Sequence, residues 1–167
     1  MKFMKIVWII DNKFRELYGL YDLKKKLSDH NIKLYLFYIP LWKTAIDLIN
    51  PNIVVIPNLA KTSCGPIVKY AEKKKVEVFM HSSEGMYYSD KVQSDKYPIH
   101  LIKKVKKILV WGKKDAEYLL RKGFKKKIVR CGLLKFDKRN YSIRNSTNKK
   151  ITRIGIPTHL RIISGLW

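Results

Sequence analysis

The richest cluster of reactive side chains in this chain follows a short apolar run at residues 76–80. It reads His81, Ser82, Ser83, Glu84 and Gly85. An imidazole and a carboxylate three residues apart can remove a proton from a hydroxyl group. The pattern predicts His81 and Glu84 as a catalytic pair, with the two serines and the glycine as binding neighbours. In the alternative interpretation, Ser83 and Glu84 cap the next element and His81 hydrogen-bonds a loop carbonyl.

Two further polar sets follow apolar runs. Asp11, Asn12 and Lys13 come after the first run, and Gly112 and Lys113 come after a later one. The first set can hydrogen-bond sugar hydroxyls, although Asp11 can equally cap the following helix. Gly112 would let the backbone approach a ligand closely, or it is simply a turn residue. We predict both sets as substrate-binding residues.

Apolar runs and helical patterns alternate along the chain. Strands are predicted at residues 5–10, 32–39, 53–56, 76–80, 108–111 and 127–131, and helices at 14–29, 42–49, from Gly65 onward, 98–107 and 113–122. Continuous apolar runs are typical of strands covered on both faces. The alternation predicts an α/β fold, a Rossmann-like doubly wound parallel sheet.

The first helix carries its apolar residues in a stripe. Leu20, Leu23 and Leu27 are spaced at i, i+3 and i+7, and we expect Leu17 and Tyr21 to widen this buried stripe. In open parallel sheets, ligands bind beyond the carboxyl ends of the strands. The polar residues after each strand therefore carry the most weight, including Asn58, Thr62 and Ser63 after the third strand.

Composition limits the class of protein. The chain has 167 residues, enough for one domain and the start of another, and no apolar run long enough to span a bilayer. Cys64 and Cys131 lie far apart without metal-ligand spacing, so we predict no metal and no resident cofactor. These features, with no signal peptide at the N-terminus, predict a cytoplasmic protein.

The charge is strongly positive. Thirty-six Lys and Arg residues against thirteen Asp and Glu residues give a net charge of +23, which attracts phosphates and anionic membranes. The abundance of Lys with Ile, Asn and Tyr also fits an A/T-rich genome. The predicted helix at 98–107 is the expected membrane surface, and its alternative is a solvated flank; its lysines are Lys103, Lys104, Lys106 and Lys107.

The chain changes character after residue 137. Residues 138–150 are polar and basic, which is typical of a linker, and residues 151–167 resemble the beginning of another domain. We therefore predict a Rossmann-like domain at 1–137, a linker at 138–150 and the start of a truncated second domain at 151–167.

Four blocks in order carry a family resemblance. They are residues 9–16 (IIDNKFRE), 83–88 (SEGMYY), 109–112 (LVWG) and 129–137 (VRCGLLKFD). Together they resemble the N-terminal domain of surface-carbohydrate (capsule or lipopolysaccharide) biosynthesis proteins, which are similar to two-domain glycosyltransferases of the GT-B architecture. The chain departs from that pattern where Leu133, Leu134 and Lys135 replace the usual glycine-proline, and where most of a second domain is missing.

The resemblance implies that residues 1–137 form a glycosyltransferase-like domain that holds a sugar or lipid-linked acceptor at the cytoplasmic face of the membrane. It implies that residues 151–167 begin the donor-binding domain. Glu84, with His81, would activate the acceptor hydroxyl, and a nucleotide-sugar donor would be the substrate of the complete enzyme. The missing half leaves open whether this chain is itself an enzyme, and a separate chain could supply the second domain.

Two alternatives stay open at this stage. A nucleotide-sugar epimerase shares the two-domain architecture and a comparable histidine-and-glutamate strand end. A basic nucleic-acid-binding module would fit the charge, but no recognition motif is present and the lysines are spread over many helix ends. Nucleic acid is therefore not the expected partner.

Overall fold

The computed structural model describes residues 3–82 and 96–132. Strands and helices alternate through both ranges. The strands are β1 (Met4–Ile10), β2 (Ile32–Tyr38), β3 (Ile53–Ile56), β4 (Glu77–His81), β5 (Lys107–Val110) and β6 (Ile128–Arg130). The α-helices are α1 (Lys13–Ser28), α2 (Trp42–Ile49), α3 (Gly65–Lys73), α4 (Ile99–Ile102) and α5 (Lys113–Arg121), and short 3-10 turns occupy Ile39–Leu41 and Lys125–Lys127.

The six strands of the described residues form one sheet in the order β2-β1-β3-β4-β5-β6. Every neighbouring pair is parallel; Val7 of β1, for example, lies opposite Tyr35 of β2 and Val54 of β3. The predicted Rossmann-like parallel α/β fold is confirmed. The order reverses direction between β1 and β3, and the carboxyl ends of these two strands flank that point.

Alternating strand residues build two cores, one on each face of the sheet. Val7 and Ile9 point to a large core that includes residues of α2, α3, α4 and α5. Trp8 and Ile10 point to a smaller core shared with Leu20 of α1. Helices therefore cover both faces, which is why the strands read as continuous apolar runs rather than as alternating ones.

The buried stripe of α1 is narrower than the sequence pattern indicated. Leu20 is fully buried and Leu23 and Leu27 pack against the small core, as expected. Leu17 and Tyr21 are instead 40% and 60% exposed and do not widen the buried stripe, so that expectation was wrong. The helix buries its Leu20 face because β1 and β2 offer a narrow apolar surface to a single helix.

The predicted basic helix at 98–107 is a single turn, Ile99–Ile102. It ends early because the Lys127 ammonium donates hydrogen bonds to the carbonyl groups at and after its last residue. The ammonium lies 2.9 Å from Ile102 O, 2.8 Å from Lys103 O and 2.6 Å from Val105 O. Lys107 already belongs to β5. A side chain from the 3-10 turn thus closes this helix in place of a glycine.

The other elements agree with the sequence patterns to within a residue or so. Gly123 follows α5 with φ of +83°, the left-handed conformation expected of a glycine just beyond a helix. The predicted linker at 138–150 and the second domain at 151–167 lie outside the described residues, so the proposed domain boundaries stay predictions. Within the part of the chain that the structure describes, no helix is long and apolar enough to cross a membrane.

Candidate functional site

The carboxyl edge of the sheet brings three of the predicted polar sets towards one another. Asp11 and Asn12 follow β1, Asn58 follows β3, and His81 ends β4; these three strands are neighbours. The reversal of strand order between β1 and β3 opens a crevice at this edge. The candidate site is this crevice.

Asn12 is held by the helix that it starts. Its side-chain oxygen accepts a hydrogen bond from the Phe14 N–H at 3.0 Å, and its own N–H donates to Glu16 Oε1 at 3.1 Å. This reciprocal arrangement satisfies two backbone donors at the start of α1. Asn12, rather than Asp11, is therefore the N-cap, and its oxygen is already engaged.

Asp11 lies half-buried at the crevice, beside an open pocket of about 460 Å³. The pocket is lined by Asp11, Asn12, Lys13, Phe14 and Tyr38. Lys13 is exposed, with its ammonium 5.0 Å from the centre of the Phe14 ring. The structure thus places the first predicted binding set around one pocket, and it adds two aromatic rings that sequence reasoning had not assigned.

Asn58 belongs to the crevice but not to the residues predicted as catalytic or substrate-binding. Its side-chain oxygen accepts hydrogen bonds from the Ala60 N–H at 3.0 Å and from the Ser63 hydroxyl at 3.4 Å. Its amide nitrogen donates to no residue within 3–82 or 96–132. The available signal in the sequence was a polar residue just after a buried strand. The sequence did not show that β3 adjoins β1.

Cys64 lies behind Asn58 at the start of α3. Burial, followed in the same direction by the charge of nearby Asp11, raises the pKa of its thiol to about 11. The thiol is therefore protonated at neutral pH and behaves as a small apolar group.

His81 is 4% exposed and contacts the ring of Trp8, whose centre is 5.3 Å away. Burial lowers the pKa of His81 to about 4, against an opposing hydrogen bond to the backbone of Gly132. The imidazole is therefore neutral at pH 7. A hydrogen bond to the backbone is what the alternative interpretation, in which His81 has a structural role, expected. The catalytic role of His81 stays a prediction.

Ser82 is buried directly after β4, and its N–H donates to the carbonyl of Leu109 in β5 at 3.2 Å. This bond fixes the strand end next to His81. Ser83, Glu84 and Gly85 lie outside the described residues, so the predicted pairing of Glu84 with His81 is untested.

Gly112 and Lys113 lie at the start of α5, after β5. A Cβ on Gly112 would meet nothing within 4 Å, and its φ of −127° suits any residue. Lys113 is exposed and pairs with Glu117 at 3.6 Å across one turn. No packing demand explains the glycine, and both residues stay predictions as ligand contacts.

A larger depression of about 870 Å³ lies elsewhere, lined by residues in or next to α3, α4 and α5. None of its lining residues follows the carboxyl end of a strand, so we favour the smaller pocket beside Asp11. Among residues 3–82 and 96–132, no group of three or more His, Cys, Asp or Glu side chains could hold a metal ion.

Comparison with known proteins bears on the fold of this chain. No family model matches the chain, and no curated protein sequence does. A solved structure, the UDP-GlcNAc 2-epimerase from Methanocaldococcus jannaschii, superposes with a TM-score of 0.57 at 15% sequence identity. The match covers 78% of this chain and 46% of the epimerase chain, so this chain spans about half of that protein. At this identity the likeness establishes the Rossmann-like fold, of the kind found in GT-B-like proteins.

Proposed function

We propose that this chain is the sugar-binding half of a GT-B-type protein of surface-carbohydrate biosynthesis, and that its crevice holds the acceptor of a glycosyl transfer. The observation that supports this most directly is that Asp11 and Asn58 follow the adjacent strands β1 and β3 at the switch point, and that Asp11 lines the pocket that Phe14 and Tyr38 flank.

The chemistry of that crevice suits a sugar. A carboxylate such as Asp11 accepts hydrogen bonds from hydroxyl groups, and the amide nitrogen of Asn58, which has no acceptor among the described residues, can donate to a hydroxyl or ring oxygen. Aromatic rings beside such groups cover the apolar C–H face of a pyranose. Lys13 adds a positive charge that favours a phosphate attached to the sugar.

A second candidate is an epimerase-like half that binds a nucleotide sugar. The likeness to the UDP-GlcNAc 2-epimerase favours it, because the two chains share the fold over most of the described residues. The two candidates share the crevice and differ in ligand: a lipid-linked or free acceptor sugar in the first, and a nucleotide sugar in the second.

Calorimetric titration separates the candidates. The full chain would be titrated with UDP-GlcNAc, with UDP, and with short-chain polyprenyl-phosphate sugars. For the glycosyltransferase candidate we expect binding of the polyprenyl-phosphate sugar, weakened about tenfold or more by Asp11→Asn, because a carboxylate that accepts from hydroxyls contributes about 1.5–3 kcal/mol.

Asp29→Asn is the matched control, because Asp29 is an exposed aspartate at the other end of α1. It should leave binding unchanged. Binding of UDP-GlcNAc alone, sensitive to Asp11→Asn, would favour the epimerase-like candidate. Absence of binding by every sugar ligand, or equal effects of the two substitutions, would contradict a sugar site at this crevice.

A further inference from the structure

The outward face of α1 carries a row of large apolar side chains. Phe14, Tyr18 and Tyr21 are 82%, 77% and 60% exposed, and Leu17 beside them is 40% exposed. Their positions i, i+3, i+4 and i+7 place all four on one side of the helix, beside the buried face that contains Leu20. We call this row the α1 outer stripe.

Cations accompany the stripe along its length. The Lys13 ammonium lies 5.0 Å from the centre of the Phe14 ring, and the Lys25 ammonium lies 5.1 Å from that of Tyr21. Lys24 and Lys26 are exposed on the same helix. The two acidic residues of α1 are less exposed: Glu16 is buried, and Asp22, one turn after Tyr18, is half-buried. The exposed surface is therefore apolar, aromatic and positively charged at once.

We propose that the α1 outer stripe docks this protein onto an anionic phospholipid bilayer. An interfacial helix of this kind buries apolar and aromatic side chains at the level of the headgroups. Its lysines extend along the apolar surface to reach the lipid phosphates. The stripe and its flanking lysines supply both contributions on one rigid helix of 16 residues.

Charge favours a bilayer over other occupants. A second copy of this chain would bring another net charge of +23 against the same face, whereas an anionic bilayer complements it. A single-stranded nucleic acid is held in a basic groove with stacking rings. The stripe instead lies on the convex surface of a helix and includes an aliphatic residue, Leu17.

Three of the four lysines first expected to face a membrane are engaged in other contacts; only the side chain of Lys103 has no such contact within residues 3–82 and 96–132. Lys104 pairs with Glu72, Lys106 with Glu77 at 3.0 Å, and the Lys107 ammonium donates to the Lys126 carbonyl. These contacts engage ammonium groups that would otherwise be available to an anionic bilayer. The α1 face has no such acidic partners for Lys24, Lys25 or Lys26 among residues 3–82 and 96–132.

Docking by the stripe has a geometric consequence. Phe14 belongs both to the stripe and to the lining of the pocket beside Asp11. A bilayer in contact with α1 would therefore lie next to that pocket. This consequence matters for a lipid-linked sugar, but the membrane contact itself does not depend on the proposed function.

Vesicle co-sedimentation of the full chain tests the proposal without any sugar. The vesicles would contain phosphatidylcholine with about one-third phosphatidylglycerol, compared with pure phosphatidylcholine. The stripe variant replaces Phe14, Tyr18 and Tyr21 by Ser. The matched control replaces Leu48, Ile99 and Leu120 by Ser; these are also exposed apolar residues, and they lie on helices of the other sheet face.

We expect the stripe variant to lose about tenfold or more of its partitioning into anionic vesicles. The control should stay within about twofold of the unmodified chain, because scattered exposed apolar residues have no common face to bury. Equal binding by the two variants would show that bulk charge alone is responsible, and would overturn the proposal. Failure of the unmodified chain to bind would do the same.

Quenching by brominated lipids gives an independent readout of the docked face. Tyr18→Trp places an indole in the stripe and Leu48→Trp places one on α2, at positions of similar exposure. We expect extra quenching for the first variant and none for the second. Loss of self-association or of RNA binding in the stripe variant, with no vesicle effect, would assign the stripe to another partner and overturn the proposal.

Discussion

The indole ring of Trp8 and the imidazole ring of His81 lie 5.3 Å apart with their planes tilted by 55°, although they belong to different strands, β1 and β4. β3 separates the two strands in the sheet. Both side chains are buried, at 5% and 4% exposure. The contact removes His81 from water, and the low pKa of the imidazole follows from that burial.

His81 should make folding stability depend on pH. Its pKa is about 4 in the folded chain and about 6.5 when unfolded, so between these values the unfolded chain binds more protons. Stability is therefore fully present above pH 6.5 and is lost as the pH falls towards 4. Linkage gives a loss of about 2 kcal/mol between pH 7 and pH 5.

Urea unfolding at the two pH values checks this prediction. His81→Gln should flatten the dependence over that range, whereas His100→Gln, at an exposed position, should leave it as in the unmodified chain. An unchanged pH dependence in His81→Gln would contradict the assignment of the effect to this imidazole.

The buried ion pair between Lys96 and Asp115 should matter for stability. The Lys96 ammonium lies 3.0 Å from Asp115 Oδ2, and the two side chains are only 7% and 6% exposed. Asp115→Ala leaves a buried cation without this partner, at a cost of about 3–5 kcal/mol. Replacing both residues by apolar ones, Lys96→Met with Asp115→Leu, should recover most of that loss.

Glu117→Gln is the control for the ion pair, because Glu117 pairs with Lys113 on the same helix in an exposed position. It should change the free energy of unfolding by less than about 1 kcal/mol. Similar losses for Asp115→Ala and Glu117→Gln in denaturant titration would show that burial of the first pair adds nothing.

Asn12 should act through its capping hydrogen bonds. Asn12→Ala removes the acceptor for the Phe14 N–H and should lower the free energy of unfolding by about 0.5–2 kcal/mol. Asn12→Ser keeps a capping oxygen and should stay close to the unmodified chain. If Asn12→Ser preserves stability but loses ligand binding in calorimetry, the amide contacts the ligand as well as the helix.

Lys127 should stabilise the turn between α4 and β5. Its ammonium reaches three carbonyl oxygens, and Lys127→Met leaves them without that donor, which should cost about 1–3 kcal/mol. Lys125→Met, two residues away and exposed, should change little. Equal effects in thermal or urea unfolding would mean that water replaces the ammonium without loss.

The strands and most helices could be predicted closely because their signals are local. The continuous apolar run at β3 is bounded by Asn52 and Pro57, and the structure has the strand at Ile53–Ile56 as expected. The α4 helix could not be predicted in the same way. Its end depends on Lys127, which lies 25 residues beyond Ile102 and reaches it only after the chain has folded.

The residues of the candidate site also divide into those that local signals predict and those that depend on the tertiary fold. Asp11 and His81 could be chosen from sequence because polar residues after buried strands reach the carboxyl edge of a parallel sheet. Asn58 stood out in the same way, but its position next to the end of β1 could not be recognised, because it depends on β3 being the neighbour of β1. Nor could the burial of His81 against Trp8, since the two residues meet only across the sheet.

The sequence by itself determined the α/β class, the positions of the strands and the residues at their ends, because hydrophobic periodicity and turn residues act over a few neighbours. Only the tertiary structure decided the strand order, the cap at Asn12 and the face of α1 that is buried. Apolar residues surround much of that helix, so its pattern permits several orientations. Packing on β1 and β2 selects the Leu20 face and leaves Phe14, Tyr18 and Tyr21 exposed.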